Sequence, residues 1–219
     1  MNQGTRGRFN RDIGRRDANR EKARTFLIVV EGEKTERIYF ETLCRVLGLK
    51  SVEVHHPECT DPIGLVEVAV ARAEARAASA TQDAFDEVWI VFDRESQHGD
   101  RIKQIQPARQ LAADRKHRVA LSIPCFELWL VLHFQPRPGA LDTKARAERL
   151  LKDEHLPDYD GKTLPGELFT AEKLRYAVQN AEECSKYHDL PGSKGDPSSE
   201  VHLLIRALNA AAAPTARLL

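Results

Sequence analysis

Acidic side chains follow two apolar stretches of the sequence that are typical of buried β-strands. Glu31 directly follows Phe26–Val30. Asp93 directly follows residues 88–92, and Glu95 lies two positions further on. Short runs of apolar, mostly β-branched residues predict buried strands, whose carboxyl ends form the ligand-binding edge of an open α/β sheet. Three carboxylates at one edge would repel one another unless a cation held them. The pattern therefore predicts a site for Mg²⁺ or Mn²⁺, which prefer oxygen ligands.

Each of these acids also has a structural interpretation. A carboxylate in the first turn of a helix is stabilised by the helix dipole, which describes Glu33 and Glu36 well and is the alternative for Glu31. Asp93 and Glu95 point the same way only if the strand geometry continues past residue 93. An Asp-x-Glu pair on its own is more often structural than catalytic.

The segment Gly32–Thr35 ends like a phosphate-binding loop but lacks its first glycine, because position 27 is Leu. ATP hydrolysis through this loop is therefore not expected. Lys34 and Arg94, each close to a predicted strand end, could instead neutralise the charge of a bound phosphate. Gly32 would let the chain turn sharply and let a phosphate or metal come close.

A further acid, Glu127, interrupts the apolar segment 124–134 together with His133. A charge in such a segment needs a partner or water. Because the segment follows a predicted strand, Glu127 could reach the same sheet edge as an accessory site residue. The alternative is an acid in a first helical turn near solvent. We interpret His133 as a core histidine with satisfied hydrogen bonds, and Cys125 as a buried, inert thiol.

The elements that position these residues alternate along the first part of the chain. Strands are predicted at 26–30, 51–56, 88–92 and 118–123, and helices at 34–47, 63–79, 101–116 and 126–134. This alternation predicts a parallel-type sheet flanked by helices. Further helices are predicted at 142–152, 171–186 and 201–208. We therefore divide the chain into a basic flexible arm (1–24), an α/β core (25–139) and a helical C-terminal extension packed on the core (140–219).

The charge is balanced overall but uneven along the chain. Lys plus Arg and Asp plus Glu each total 33 of 219 residues, so net charge identifies no partner. Residues 1–24, however, carry eight basic and three acidic groups, a net +5 that leaves −5 for the rest. An Arg-rich segment without apolar periodicity is either an arm that binds the phosphates of nucleic acid or a solvated tail.

The cysteines and the apolar content bear on the location of the protein. Cys44, Cys59, Cys125 and Cys184 are widely spaced, which argues against a zinc site and a disulfide framework and favours free thiols in a reducing compartment. The N-terminal residues lack a signal-peptide pattern, and the longest apolar stretch is too short to span a bilayer. We expect a cytoplasmic protein with no membrane association.

Together the three segments resemble the RloB family, which is found in bacterial and archaeal restriction and abortive-infection loci. The family pattern has an opening Leu-Ile-x-x-Glu-Gly-Glu-x-Thr-Glu, a strand that ends in Phe-Asp-x-Asp/Glu, and a block close to Asn-Pro-Cys-Phe-Glu-Leu-Trp-Leu-x-x-His-Phe. Here these are residues 27–36, 92–95 and 123–134, and a closing Pro-x-Thr/Ser-x-Val-His pattern matches 197–202.

The resemblance implies a fold and an activity. RloB proteins are similar to the Toprim fold of topoisomerases, primases and the nuclease domains of OLD-type defence proteins. In Toprim enzymes a Glu after the first strand and an acid pair after a later strand bind magnesium and support phosphodiester chemistry. These positions correspond to Glu31, Asp93 and Glu95, the last of which is Glu where Asp is usual. Family relatives often neighbour an AAA-type ATPase gene, which implies a protein partner.

The hypothesis from sequence is a metal-dependent nuclease with a Toprim-like fold that acts on DNA or RNA as an antiphage defence effector. Glu31, Asp93 and Glu95 would be both the catalytic and the metal-binding residues, and Lys34 and Arg94 would contact the substrate phosphate. Two alternatives stay open. The chain could be a non-catalytic regulatory subunit of a defence ATPase complex, or a phosphatase or nucleotide hydrolase that uses the same metal site. The sequence leaves the oligomeric state open.

Overall fold

The computed structural model describes residues 23–95, 100–136, 139, 141–188 and 197–219. Within them lies a five-stranded sheet with the strand order β2-β1-β3-β4-β5. Neighbouring strands among β1 to β4 pair in parallel, and β5 pairs antiparallel with β4. The strands are β1 (Phe26–Val30), β2 (Val52–His55), β3 (Glu87–Asp93), β4 (Arg118–Ile123) and β5 (Ser198–Ser199). The prediction of a mostly parallel sheet flanked by helices is confirmed.

Seven α-helices accompany the strands in the described part of the chain. They are α1 (Thr35–Val46), α2 (Pro62–Ala77), α3 (Asp100–Asp114), α4 (Glu127–Val131), α5 (Lys144–Leu150), α6 (Ala171–His188) and α7 (Val201–Ala211). Local sequence sets several of their ends. The Asp61 side chain accepts the Gly64 N–H at 2.8 Å before α2, and Gly48 adopts φ 67° just after α1. None of the described helices is long and apolar enough to cross a bilayer.

The two faces of the sheet bury separate apolar clusters. On one face, alternate residues such as Ile28, Trp89 and Val91 pack with helices α1, α4, α6 and α7. On the other face, the intervening residues such as Val29 and Ile90 pack with α2 and α3. Strand alternation therefore assigns each residue at a strand end to one face or the other, which decides what its side chain can reach.

The structure differs from the sequence prediction in three elements. Helix α4 is a five-residue helix rather than the nine residues predicted. The predicted helix at 142–152 is α5 followed by a π-helical turn, Leu151–His155. Strand β5 was not predicted, because a two-residue strand has no periodicity of its own and forms only by pairing with Ser122 and Ile123.

The predicted basic arm falls almost wholly on residues 1–22, which lie outside the described residues, as do 96–99 of the loop after Glu95. The described part of the segment 140–219 contributes both β5 to the sheet and α6 and α7 to the larger apolar cluster. The core on that face is thus built jointly from both halves of the chain.

Candidate functional site

A cavity of about 390 Å³ lies at the carboxyl edge of the sheet, on the face that packs against α1 and α4. Three buried acids, Glu36, Asp93 and Glu127, line it. Because these three side chains supply buried carboxyl groups, we call it the acidic cavity. The rest of the lining is Gly32, Glu33, Lys34, Thr35, Phe126, Lys144, Glu148, Lys152, Tyr159, Asp160, Gly161 and Lys162.

Asp93 enters the cavity because it is the last residue of β3 and shares the face of Trp89 and Val91. It is 6% exposed, and its Oδ1 has no hydrogen-bond partner among the described residues. A buried carboxylate oxygen without a partner loses the hydration that it would have in water. The position of Asp93 at the sheet edge agrees with the sequence prediction.

Glu36 reaches the same cavity from the first turn of α1. Its Oε2 accepts the backbone N–H of Gly32 at 3.1 Å. A Cβ at Gly32 would lie 3.0 Å from Glu36 Oε1, which is tighter than ordinary contact, so the glycine makes room for this carboxyl group. The sequence analysis assigned Glu36 to the helix dipole and explained Gly32 by a turn or a bound ligand. The structure instead makes the two residues one unit in which Glu36 is buried.

Glu127 comes from α4, where it is 4% exposed. Its Oε1 accepts the hydroxyl of Tyr159 at 3.1 Å and lies 3.8 Å from Lys144 Nζ. Its Oε2 has no hydrogen-bond partner in the described structure. Thr35 Oγ1 lies 3.0 Å from the Tyr159 hydroxyl and donates to the carbonyl of Gly161. The loop that carries Tyr159 is thereby joined to the start of α1, and Glu127 is held inside the cavity rather than near solvent.

The electrostatics of the cavity follow from burying several carboxyl groups together. Burial, together with repulsion from Glu31 and Glu127, raises the pKa of Glu36 to about 8, although the Gly32 N–H lowers it. Burial also raises the pKa of Asp93, followed by repulsion from Glu36, Glu31 and Glu127. Burial alone would lower the pKa of Lys144, but Glu127 and Asp93 outweigh it and raise that pKa. The cavity therefore favours additional positive charge.

Glu31 lies beside this cavity but does not line it. Strand alternation turns it toward the face of α2 and α3, where its Oε2 contacts Arg101 Nη2 at 2.5 Å and accepts the Asp93 N–H at 3.0 Å. Arg101 also donates to the carbonyls of Asp93 and Thr60, each at 2.9 Å. Burial raises the pKa of Glu31, although the Asp93 N–H and Arg101 lower it. Glu31 thus already has a cationic partner.

Arg94 and Glu95 follow Asp93, the last residue of β3, but their side chains do not line the acidic cavity. Glu95 adopts φ 60°, its side chain is 54% exposed, and its Oε2 lies 3.7 Å from Arg101 Nε. Arg94 is buried on the opposite face of the sheet, in a second cavity. Of the predicted metal ligands, the acidic cavity contains Asp93 alone, and of the two predicted phosphate contacts it contains Lys34 alone.

Four lysines stand around the buried acids: Lys34, Lys144, Lys152 and Lys162. Their side chains come from three separate parts of the chain and all four residues are exposed. Ammonium groups around a carboxylate centre suit a ligand that combines phosphate oxygens with a bound cation.

The donor set fits a small divalent cation. Asp93 Oδ1 and Glu127 Oε2 are buried carboxylate oxygens that lack partners among the described residues. No group of three or more His, Cys, Asp or Glu side chains in the described ranges is arranged to hold a metal ion. Mg²⁺ characteristically takes only one or two carboxylates and completes its shell with water and substrate phosphates, so two such acids are compatible with it.

Comparison with protein families decides the relationship of the chain. Residues 26–208 match the model of the family described as RloB-like protein. The chain belongs to the RloB-like family. The match covers β1 through most of α7, so it contains every residue of the acidic cavity.

Neither the curated proteins nor the solved structures gave a match to this RloB-like chain. The fold is mixed α/β with a mostly parallel sheet. Its likeness to Toprim proteins stays a prediction, because no solved structure matched.

Two residues of the apolar block prove to be structural. His133 is fully buried, its Nδ1 lies 2.9 Å from the Trp129 carbonyl, and its Nε2 lies 3.3 Å from the Tyr39 hydroxyl. Burial lowers its pKa to about 4, so it is neutral. Cys125 is buried, and burial raises the pKa of its thiol. Cys44, Cys59 and Cys125 form no disulfide. The interpretations of a core histidine and a buried thiol are confirmed, and the inertness of the thiol stays a prediction.

Sequence reasoning missed Glu36, Lys144, Tyr159 and Arg101 as contributors to this edge. Only Glu36 had a local signal, since a Gly followed four positions later by Glu allows the side chain to reach back to the glycine N–H. The other three arrive from elements distant in the sequence, and their side chains reach the edge only through tertiary packing.

Proposed function

We propose that this RloB-like protein is a metal-dependent phosphodiesterase that cleaves nucleic acid at the acidic cavity. One observation carries the proposal: buried oxygens of Asp93 and Glu127 that have no hydrogen-bond partner among the described residues lie in a single cavity with four lysines at a parallel sheet edge. Buried acids of this kind suit a hard cation, and the lysines suit the phosphate that such a cation would activate. The role as a defence effector and the ATPase partner stay predictions from the family resemblance.

Asp93 and Glu127 would hold Mg²⁺ or Mn²⁺, with Asp93 fixed by its strand and Glu127 oriented by the Tyr159 hydroxyl. When bound, such a cation supplies charge neutralisation at the scissile phosphate and a more acidic water. Lys144, already held near Glu127, and Lys34 would bind the non-bridging phosphate oxygens. Glu36, whose pKa is about 8, would accept a proton from the attacking water and return it to the leaving oxygen.

Glu31 would serve this site indirectly. It accepts the Asp93 N–H and is paired with Arg101, so it fixes the end of β3 and hence the direction of the Asp93 side chain. Direct metal binding by Glu31 and Glu95, as the resemblance implies, would require both carboxylates to separate from Arg101.

The test is cleavage of single- and double-stranded DNA, RNA and tRNA by the full chain with Mn²⁺ or Mg²⁺, and with EDTA. We expect metal-dependent cleavage that Asp93→Asn abolishes and that the exposed-acid control Asp114→Asn retains. Millimolar metal should also raise the melting temperature of the wild-type protein, but not that of Asp93→Asn.

Four results would count against the proposal. EDTA-resistant cleavage, or cleavage by a folded Asp93→Asn protein, would exclude this site. Metal-stabilised protein that cleaves nucleotides but no polymer would favour the small-substrate alternative. An absence of both metal stabilisation and cleavage would favour the regulatory subunit.

A further inference from the structure

A second cavity, of about 510 Å³, lies on the opposite face of the sheet between α3, β4 and β5. It shares no lining residue with the acidic cavity. Four large aliphatic side chains, Ile102, Ile105, Leu121 and Ile123, line it together with five polar or charged ones, among them Arg94. We call it the arginine cavity.

Arg94 is the unusual member of this lining. It is 8% exposed, and its Nε and Nη2 have no hydrogen-bond partner among the described residues. Its backbone N–H donates to the Ser122 carbonyl at 2.9 Å, which fixes where the side chain begins. A buried guanidinium without an anion is costly, and such groups are normally paired. Packing of the fold alone gives no reason for an arginine here.

The other charges in the arginine cavity are already satisfied. Arg109 Nη2 contacts Glu200 Oε1 at 2.6 Å, and Glu200 Oε2 accepts the Leu121 N–H at 3.0 Å. In the described part of the lining, Arg94 is therefore the charged side chain without an ionic partner. The described lining residues thus carry one positive charge in excess.

The free atoms of Arg94 define the chemistry of a partner. Nε–H and Nη2–H lie on the same edge of the planar guanidinium and point in parallel directions, which matches two oxygens of a carboxylate or phosphate. Beside them stand the apolar surfaces of Ile102, Ile105 and Leu121, which suit a hydrocarbon or aromatic group rather than a bare ion.

We propose that the arginine cavity is a binding site for a small organic oxyanion, in which Arg94 holds a carboxylate or phosphate and the isoleucine and leucine side chains cover an apolar body. This site goes beyond the proposed nuclease function. It would place a second ligand one residue along the chain from Asp93, on the other side of the sheet.

The experiment uses the full chain and four compounds: phenyl phosphate, benzoate, inorganic phosphate and phenol. Affinity is measured by calorimetry, without added metal, and the melting temperature is followed in parallel. The variants are Arg94→Met, which keeps length and removes the charge, and Arg94→Lys, which keeps the charge and removes the fork. Arg115→Met is the matched control, because Arg115 pairs with Glu74 away from this cavity.

We expect saturable binding of phenyl phosphate or benzoate, with phenol and inorganic phosphate weaker, since each lacks one half of the ligand. The preference between the first two identifies the oxyanion as phosphate or carboxylate. Arg94→Met should lose about tenfold or more in affinity, Arg94→Lys should keep part of it, and Arg115→Met all of it. Without ligand, Arg94→Met should melt at or above the wild-type temperature, because it removes an unpaired buried charge.

Absence of saturable binding by all four compounds would overturn the proposal. So would equal affinity in wild type and Arg94→Met, or a ligand-free Arg94→Met protein that melts well below the wild type, since Arg94 would then be structural. The nuclease proposal survives each of these results, because its test concerns metal and Asp93.

Discussion

Asp93 and Arg94 are consecutive residues at the end of β3, yet they belong to cavities of opposite chemistry. On one face, Asp93 joins Glu36 and Glu127 in a cavity with an excess of buried carboxyl groups. On the other face, Arg94 brings a guanidinium with no ionic partner among the described residues into a cavity that also has four large aliphatic side chains. Because successive side chains of a strand point to opposite faces of the sheet, these two neighbours in sequence can have independent ligands.

The sharpest test of the difference between the two faces compares two acids at the carboxyl edge of the sheet, one after β3 and one after β4. Glu127→Gln removes a carboxylate inside the acidic cavity, and Glu95→Gln removes one that lies beside Arg101. We expect metal-dependent cleavage to fall by about 100-fold or more in Glu127→Gln and by far less in Glu95→Gln. Single-turnover rates at saturating Mn²⁺ measure both. The reverse ranking would return the metal to the residues that the family resemblance implies.

Glu36 gives the acidic cavity a pH dependence. Its pKa is about 8 in the folded chain against an ordinary 4.5, so the folded state binds more protons than the unfolded state between these values. Stability without metal should therefore fall as pH rises through this range. We expect the melting temperature to drop by several degrees between about pH 5 and about pH 9.

Glu36→Gln imitates the protonated acid and should flatten that dependence, as measured by calorimetry in metal-free buffers. The wild-type slope should also weaken when Mg²⁺ is added, because a cation stabilises the ionised form. A Glu36→Gln protein with the full wild-type slope would show that another group is responsible.

The proposed ligand of the arginine cavity can be tested through Glu200, the one carboxylate among its described lining residues. Glu200→Gln keeps an oxygen for the Leu121 N–H but removes a negative charge from the lining. We expect the affinity for phenyl phosphate to rise by about fivefold, ~1 kcal/mol, because repulsion of the oxyanion is lost and Arg109 becomes available. Titration calorimetry gives the value. Unchanged affinity would mean that the oxyanion binds beyond the reach of this pair.

The smallest expected effect concerns the support of Glu127. Tyr159→Phe removes one hydroxyl that donates to Glu127 and lies near Thr35. We expect a loss of ~1 kcal/mol in the free energy of unfolding from urea titration, with metal affinity reduced more than phenyl phosphate affinity. Equal reductions in both affinities would indicate general loosening of the fold rather than a local contact.

Local pattern predicts most of this fold. The runs 26–30 and 88–92 are apolar enough to identify buried strands, and Asp61 with Pro62 correctly starts a helix. Strand β5 could not be predicted, because Ser198 and Ser199 are polar residues whose strand geometry exists only through pairing with β4. The shortening of α4 likewise depends on packing, since its residues are apolar well past Val131.

Some features of the candidate site could likewise be predicted from local sequence, and others could not. Asp93 was predictable, because a strand end fixes its direction, and so was the arrival of Glu127 at the edge. The expectation that Asp93 and Glu95 point the same way was wrong, because it required an extended backbone where residue 95 takes φ 60°. The partner of Glu31 is 70 residues away in Arg101, and that of Glu127 is 32 residues away in Tyr159. Such pairings are set by tertiary packing, which spacing in the sequence does not contain.

Strand β5 has a consequence for the way the chain folds. Ser199 pairs with Ser122, from which it is 77 positions away in the sequence, so during synthesis one edge of β4 stays unpaired until the segment around residue 199 has emerged. Closing so long a loop is slow compared with forming the helices, and an open strand edge is a template for pairing with another chain. Aggregation of nascent or truncated protein should therefore begin at β4, and chaperone dependence should end once residues 198–211 have docked.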